Sequence, residues 1–338
     1  MKNKLNFIDL FCGAGGLSFG LNKAGHKCLL GIDFDKDSIE TFKYNHKDSA
    51  SFCGDIKDLD NKTLKSLVTK KIEMIVLSPP CQAFSTIGKG DVNDPRNNLF
   101  KKSLRFIKFY NPKIILLENV TGLLSIKNKP KYDSIIKSFE NLGYKTQTKI
   151  LDASLYSVPQ KRKRVIIVGT KNCEFNYPKP NENKIVTVGD VIKKLKTKKG
   201  NIYNHDIKTA QISNIKDKKI INYIPEGCQI RYEKDVKNYL PKNLYVIKWK
   251  ERPGNRLRQA RFRRLHRDLP STTILTSKNE CYHPVENRYL TVREAAKLQS
   301  FPNTFKFFGS MTSQWKQVGN AVPPLLAYKI GLSIKEMK

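Results

Sequence analysis

Along the first 170 residues, short apolar runs take turns with longer stretches whose apolar positions recur at helical spacing. LNFIDLF (5–11) and CLLGIDF (28–34) are apolar almost throughout, as are IEMIVLS (72–78), KIILLENV (113–120) and RVIIVGT (164–170). Runs of this length predict strands covered on both faces, the kind found in largely parallel sheets. Between them, GGLSFGLNKAG (15–25) predicts a helix closed by Gly25. DSIETFKYNH (37–46) predicts a second helix, and DSIIKSFENLGY (133–144) a third with a Gly stop. Strand and helix in alternation predict an α/β fold, a doubly wound Rossmann-like sheet.

The texture changes near residue 171. From 173 to 288 the chain is polar and irregular, first rich in Lys and Asn and then in Arg, with weak strand patterns. Helical periodicity returns in LTVREAAKLQSFP (290–302) and VGNAVPPLLAYKIGLSIKEM (318–337). The expected organisation is a large lobe over 1–172, a smaller basic lobe inserted at 173–288, a joint at 289–305, and a segment at 306–338 that completes the first lobe. No internal repeat is visible.

Composition narrows the class. The 338 residues are 39% hydrophobic, enough for a sizeable core. No apolar run approaches the roughly 20 residues of a membrane helix. MKNKLNFIDLF enters the first strand without a signal-peptide pattern, so a cytoplasmic protein with no membrane partner is expected. Sixty-three Lys and Arg face 30 Asp and Glu, a net charge of +33. A field of that sign gathers polyanions and points to nucleic acid, although stretches such as KKLKTKKGN (193–201) also fit plain solvated surface. The seven cysteines form no CxxC pair. Neither a disulfide framework nor a metal site is predicted, and thiols stay available for chemistry.

FIDLFCGAGGLSFG (7–20) places glycines between a strand and a helix, where backbone can approach a ligand and a helix N-terminus favours an anionic group. Twenty residues beyond Gly13, Asp33 ends the second strand, where an acid can hold ribose hydroxyls. Ser18 stands where the dinucleotide fingerprint has its last Gly, which favours S-adenosylmethionine over NAD. Asp55 in GDI can accept from an adenine amino group or cap the helix after it. In SPPCQAFS (78–85), two prolines stiffen the approach to Cys81. Ser-Pro-Pro-aromatic is the pattern of amino-group methyltransferases, in which the ring stacks on a flipped base. Cysteine cannot stack, but its thiolate can add to carbon 6 of cytosine and make carbon 5 nucleophilic. A free thiol is only about 3% thiolate at pH 7, so a positive environment would help. Glu118, at the end of a predicted buried strand, can share a proton with ring nitrogen N3. Arg162 and Arg164 are two residues apart, on one strand face. Taken alone, their stretch would be a solvated basic edge.

Nine blocks in order carry a resemblance: DLFCGAGG, GIDFD, GDI, SPPCQAFS, DPRNNLF, ENV, QKRKR, RYLTVREAAKLQSFP and QVGNAVP. Spanning about residues 5 to 335, the chain resembles the DNA cytosine-5 methyltransferases of bacterial restriction–modification systems. The resemblance implies that Cys81 is the nucleophile, Glu118 the N3 partner, and Arg162 and Arg164 the orienters of base and catalytic groups. It implies a methyl-donor pocket lined by Phe11, Gly13, Ala14, Gly15 and Gly16. Asp33 would hold the ribose of S-adenosylmethionine and Phe34 would pack on its adenine. Asp55, Ile56, Pro80, Leu99, Asn320 and Val322 would complete the pocket, with S-adenosylhomocysteine as product and no metal. Many members have Glu where Asp33 stands, a longer arm with the same chemistry. STIGKGDVNDPRNN (85–98) looks like the family's loop that closes over DNA once the target base has left the stack.

Double-stranded DNA is the implied partner, with a cognate restriction endonuclease acting on the same site without contact, and monomeric action in the bacterial cytosol or nucleoid is expected. Gln82, Ser85 and Lys89 are candidate DNA contacts. ERPGNRLRQARFRRLHRD (251–268) packs seven arginines between 252 and 267, among which Arg256, Arg258, Arg261 and Arg263 are the DNA-binding candidates; Thr273 in PSTTILTS is another. Arginine can read guanine or hold phosphate, and the sequence does not say which residue does which. The first rival is a tRNA cytosine-5 methyltransferase of the same fold. That branch carries a Cys-Phe-Thr segment in its insert, and none stands here. The second rival is a catalytically inactive DNA-binding regulator, which would normally have lost the cysteine or the glutamate.

Overall fold

The computed structural model describes residues 4–79, 99–181, 185–195, 202–245 and 256–337. Pro80, Cys81, Gln82, Ser85 and Lys89 of the expected site lie outside the described residues. The chain divides into two compact units. The first comprises Met1–Tyr156, Arg162–Glu182 and Ala321–Lys338; the second comprises Ser157–Lys161 and Asn183–Asn320.

The first unit is an α/β fold built on one seven-stranded sheet. Its strands are β1 (Asn6–Leu10), β2 (Lys27–Asp33), β3 (Ala50–Cys53), β4 (Met74–Leu77), β5 (Ile114–Val120), β6 (Lys145–Asp152) and β7 (Lys163–Thr170). They lie in the order β3-β2-β1-β4-β5-β7-β6. The first five pair in parallel, and β7 runs antiparallel to both β5 and β6. The apolar runs form the middle of the sheet for a simple reason. Ile8, Leu10, Ile75, Leu77, Ile115, Leu117, Val165 and Ile167 all join one core, and burying each such side chain contributes on the order of 1.5–3 kcal/mol. The edge strand β6 is KTQTKILD, in which Leu151 is buried and the other side chains are exposed or half-buried, so its pattern carries no apolar signal.

Helices α1 (Gly16–Lys23), α2 (Lys36–Asn45), α3 (Asn61–Leu67), α4 (Leu99–Tyr110) and α5 (Lys129–Glu140) connect the strands. Asp35 caps α2 by accepting from the Ser38 N–H at 2.9 Å. In the second unit α6 (Val188–Ile192), α7 (Ile215–Ile221) and α8 (Glu233–Tyr239) accompany a two-stranded ribbon of β8 (Ile230–Tyr232) and β9 (Arg256–Arg261). Isoleucines 212, 220, 221, 224 and 230 pack there with Leu257, Phe262, Tyr282 and Tyr289. The segment 289–305 lies in this unit, where Thr291 and Glu294 form a capping box at the start of α9 (Val292–Leu298).

The periodic stretch after residue 310 is two helices. α10 (Met311–Asn320) closes the second unit, and the Pro323–Pro324 pair starts α11 (Pro324–Lys335) in the first. α11 packs on α1 so closely that a Cβ on Gly20 would stand 2.2 Å from the Pro324 carbonyl oxygen. The end of the chain thereby braces the helix that follows the glycine turn.

Candidate active site at the carboxyl edge of the sheet

In open α/β sheets the carboxyl ends of the strands form the ligand-binding edge, at the point where strand order reverses. Here that point lies between β1 and β4. Phe11, the glycine turn, Asp33 and Phe34 follow the carboxyl ends of β1 and β2 beside it. Phe11 follows β1 with φ of 66°, a left-handed backbone that is costly for an aromatic residue, and Gly13 and Gly15 follow at 52° and 88°. Three positive φ values in five residues turn the chain back from strand to helix. Gly13 and the buried Ala14, Gly15 and Gly16 are the turn itself. The Gly13 N–H donates to Asp33 Oδ2 at 2.8 Å, and the Asp35 N–H donates to Asp33 Oδ1 at 2.9 Å. Burial pushes the Asp33 pKa up, and these two N–H groups work against that shift.

Phe34, next in line, leaves 67% of its surface exposed. A large apolar ring uncovered beside a braced carboxylate suits a nucleoside, with the ring for the base and the remaining acceptor sites of Asp33 for the ribose hydroxyls. A Cβ on Gly13 would meet nothing within 4 Å, so that side of the turn is open. Asp55 caps the short helical turn Ile56–Asp58 through the Lys57 N–H at 2.9 Å, so the capping use of this residue is present. Ile56 is buried behind it. Leu99 opens α4. Val322 is buried in the first unit, and Asn320 is exposed at the end of α10 in the second.

The second cluster is at the end of β5. β7 runs against β5, so it begins where β5 ends, and Arg164 pairs in register with Val120. Two residues back on β5, Glu118 lies diagonally across from Arg164 on the same face. Arg164 Nε stands 2.9 Å from Glu118 Oε1 in an almost dry setting, with side-chain exposures of 13% and 9%. Arg162, just before β7, is wholly buried. Of the basic stretch that taken alone would be a solvated edge, Lys161 and Lys163 are exposed, whereas Arg162 and Arg164 are not. Burial raises the Glu118 pKa, Arg164 and Arg162 oppose it, and the balance stays above the ordinary glutamate value. The carboxyl group is thus readier than most to hold a proton. Its neighbour Asn119 reaches the segment after β4: Asn119 Nδ2 donates to the Pro79 carbonyl at 3.4 Å, two residues before Cys81.

Two further residues were not singled out from sequence. Asp9 lies inside the apolar β1 and is buried, with Oδ2 accepting from Ser18 Oγ at 2.5 Å. Burial, opposed by Ser18 and reinforced by Asp33 and Glu118, raises its pKa to about 7. A charged residue in the middle of NFIDL was the available signal. His46 lies under the glycine turn, and nothing in its sequence neighbourhood marks it.

In the second unit the arginine run separates into kinds. Arg264 is buried and donates to the carbonyls of Ile221, Ile224, His283 and Glu286 and to Asn287 Oδ1. Arg267 pairs with Glu226 at 2.8 Å. Arg263 is held by Gln229 Oε1 at 2.9 Å and Thr272 Oγ1 at 3.2 Å, while Arg261 is exposed and lies over the Phe262 ring. Arg256 and Arg258 belong to β9. Half-buried Thr273 donates its hydroxyl to the Lys161 carbonyl at 2.8 Å. Among the described residues no cluster of three or more His, Cys, Asp or Glu could hold a metal, and no helix is long and apolar enough to cross a membrane.

An open α/β sheet with a glycine turn and a braced acid at its carboxyl edge is an architecture shared by nucleotide-binding enzymes. Comparison with known proteins makes this specific. The C-5 cytosine-specific DNA methylase family matches residues 5–336. The Type II methyltransferase M1.HphI of Haemophilus parahaemolyticus is 34% identical, covering 98% of this chain and 87% of that protein. The Type II methyltransferase M.Eco47II of Escherichia coli is 34% identical over 98% of this chain and 79% of its own length. A crystal structure of a candidate DNA modification methyltransferase encoded in an E. coli prophage shares the fold, with a TM-score of 0.70, 24% identity and 98% of both chains covered. The chain belongs to the C-5 cytosine-specific DNA methylase family and is a DNA (cytosine-5) methyltransferase.

Proposed function

We propose that this enzyme methylates carbon 5 of one cytosine within a specific duplex sequence, as the protective half of a bacterial restriction–modification system. The observation that carries the reading is the dry Glu118–Arg164 pair beside Asn119, which tethers the strand leading into Cys81. S-adenosylmethionine, when bound, supplies an electrophilic methyl group. Phe34 and Asp33 hold its nucleoside, and the Phe11–Gly16 turn takes its amino-acid end. The target cytosine leaves the stack at a cost of a few kcal/mol, which contacts to phosphate offset.

The Cys81 thiolate adds to carbon 6. Glu118 places its proton on N3, so the electron pair displaced from the ring collects at carbon 5, where the methyl group is taken up. Arg164 and Arg162 hold Glu118 and the base in position. Loss of the carbon-5 proton to a base then expels the thiolate, the N3 proton returns to Glu118 and the aromatic ring is restored, with S-adenosylhomocysteine as the other product. Residues 173–288 form the target-recognition region, with Arg261, Arg263 and the β9 arginines as its contacts to DNA. The enzyme acts as a monomer in the cytoplasm, and its cognate endonuclease shares the site without touching it.

The test is methylation of mixed-sequence duplex DNA followed by bisulfite mapping, with tRNA incubated in parallel. Methylcytosine at one recurring sequence in DNA is expected. Incorporation into tRNA alone would overturn the reading.

A further inference from the structure

The glycine turn has a buried support. His46 caps the end of α2 and is only 3% exposed. Its ring stacks on Phe42 with centroids 4.3 Å apart and planes 16° apart, and Phe19 meets it edge-on at 6.1 Å. From this seat His46 Nε2 lies 3.1 Å from the Gly15 carbonyl oxygen. The fit leaves no room for a side chain above it: a Cβ on Gly15 would stand 2.3 Å from His46 Nε2 and 2.8 Å from the Phe42 ring. The φ of 88° at Gly15 adds a second reason for glycine there.

The proton on this ring can be located from its neighbours. The Cys28 N–H donates to Asn22 Oδ1 at 2.8 Å, which turns the Asn22 amide so that Nδ2 faces His46 Nδ1 at 3.4 Å. Nδ1 is then the acceptor, and Nε2 carries the hydrogen donated to Gly15. Burial lowers the His46 pKa to about 4, so the imidazole is neutral at working pH. Gly15 O also accepts the first helical bond of α1, from the Phe19 N–H at 2.8 Å. One chain of hydrogen bonds therefore runs from β2 through Asn22 and His46 to the carbonyl that fixes the turn.

We propose that His46 is a positioning residue for the methyl donor: its neutral ring, oriented by Asn22, holds Gly15 and so sets the shape of the Phe11–Gly16 turn. This rests on the reading of that turn as the S-adenosylmethionine site. Phe11 in this turn holds a left-handed backbone that only glycine adopts freely, and such a conformation persists only while the surroundings over-determine it. Loss of the Nε2–H donor leaves the turn free to relax away from the donor-binding shape.

The test compares wild type with His46→Gln, which keeps an N–H at the reach of Nε2, and His46→Phe, which keeps the stack and loses the donor. Calorimetry measures binding of S-adenosylhomocysteine to each full-length protein, and thermal unfolding is recorded beside it. The expected result is binding roughly tenfold weaker for His46→Phe, the size of one buried hydrogen bond, with His46→Gln near wild type. Equal affinity in all three proteins would overturn the role of His46, as would equal weakening in both variants. A His46→Phe protein that unfolds earlier but binds as tightly when folded would mark a purely structural residue and also overturn it. A wild-type protein that does not bind S-adenosylhomocysteine would instead overturn the reading of the donor site.

Discussion

Each unit buries a glutamate against an arginine, and the two pairs differ in the direction in which the acid's pKa is moved. Glu294 receives both Arg288 Nη1 and Nη2 at 2.8 Å and the Thr291 N–H at 2.8 Å. Burial works against its charge, yet Arg288 and Thr291 hold its pKa below the ordinary value. Glu118 stands 2.9 Å from Arg164 with Arg162 also near, and burial still keeps its pKa raised. A carboxylate whose partners hold its charge below the ordinary pKa fastens a fold. One whose pKa burial keeps raised in spite of two guanidiniums can still exchange a proton. The difference separates structural from chemical acids where burial alone does not.

Isosteric neutralisation should split the pairs in opposite directions, and this is the largest effect expected apart from loss of the nucleophile. Glu118→Gln should lower methyl transfer by about 10²–10⁴-fold. Its urea midpoint should move little, because the fold already favours the neutral form of this group. Glu294→Gln should cost about 3–5 kcal/mol of stability by stranding Arg288, with turnover per folded molecule kept. Chemical denaturation and single-turnover assays on both variants decide it. Equal losses of stability in the two would dissolve the contrast.

A smaller contrast lies within the arginine run. Arg264→Met strands several buried carbonyls and should destabilise by about 1–3 kcal/mol. Arg263→Met should leave unfolding nearly unchanged and weaken specific DNA binding by about 1–3 kcal/mol. Gel-shift titration beside thermal unfolding reads both. An Arg263→Met protein with unaltered DNA affinity would remove Arg263 from the contact surface.

The smallest effect is a pH dependence from Asp9. Its folded pKa of about 7 lies well above the ordinary aspartate value, so the folded chain holds this proton more tightly than the unfolded chain. Stability from this group is present at low pH and is lost as pH rises from about 4 through 7. Asp9→Asn lacks the titration, so it should gain stability relative to wild type between pH 5 and pH 8. Urea unfolding at the two pH values checks this. An unchanged difference would place the Asp9 proton elsewhere.

What the sequence revealed follows from which signals survive without a fold. The five strands β1, β2, β4, β5 and β7 were legible because both of their faces are buried, and β6 was not, because an exposed edge leaves a polar pattern. Glu118, Asp33 and the glycine turn were legible from their places at strand ends. Asp9 and His46 were not, since a buried acid and a buried histidine look in sequence like any others. Arg263, Arg264 and Arg267 were indistinguishable in FRRLHRD, because only the fold brings Gln229, the Ile221 carbonyl and Glu226 to them from some 34 to 43 residues away. Cys81 lies outside the described residues, and its role rests on its motif and on the tethered Pro79 before it.

The central claim, covalent activation of cytosine by Cys81, has a direct test. A mixed-sequence duplex carrying 5-fluorocytosine in place of cytosine blocks the last step, because fluorine cannot leave carbon 5 as a proton does. With S-adenosylmethionine present, the wild-type protein should remain joined to this DNA through denaturing electrophoresis, and Cys81→Ser should not. A Cys81→Ser protein that still methylates ordinary duplex DNA at near-normal rate, or an active wild type that leaves no denaturant-resistant complex, would contradict the account.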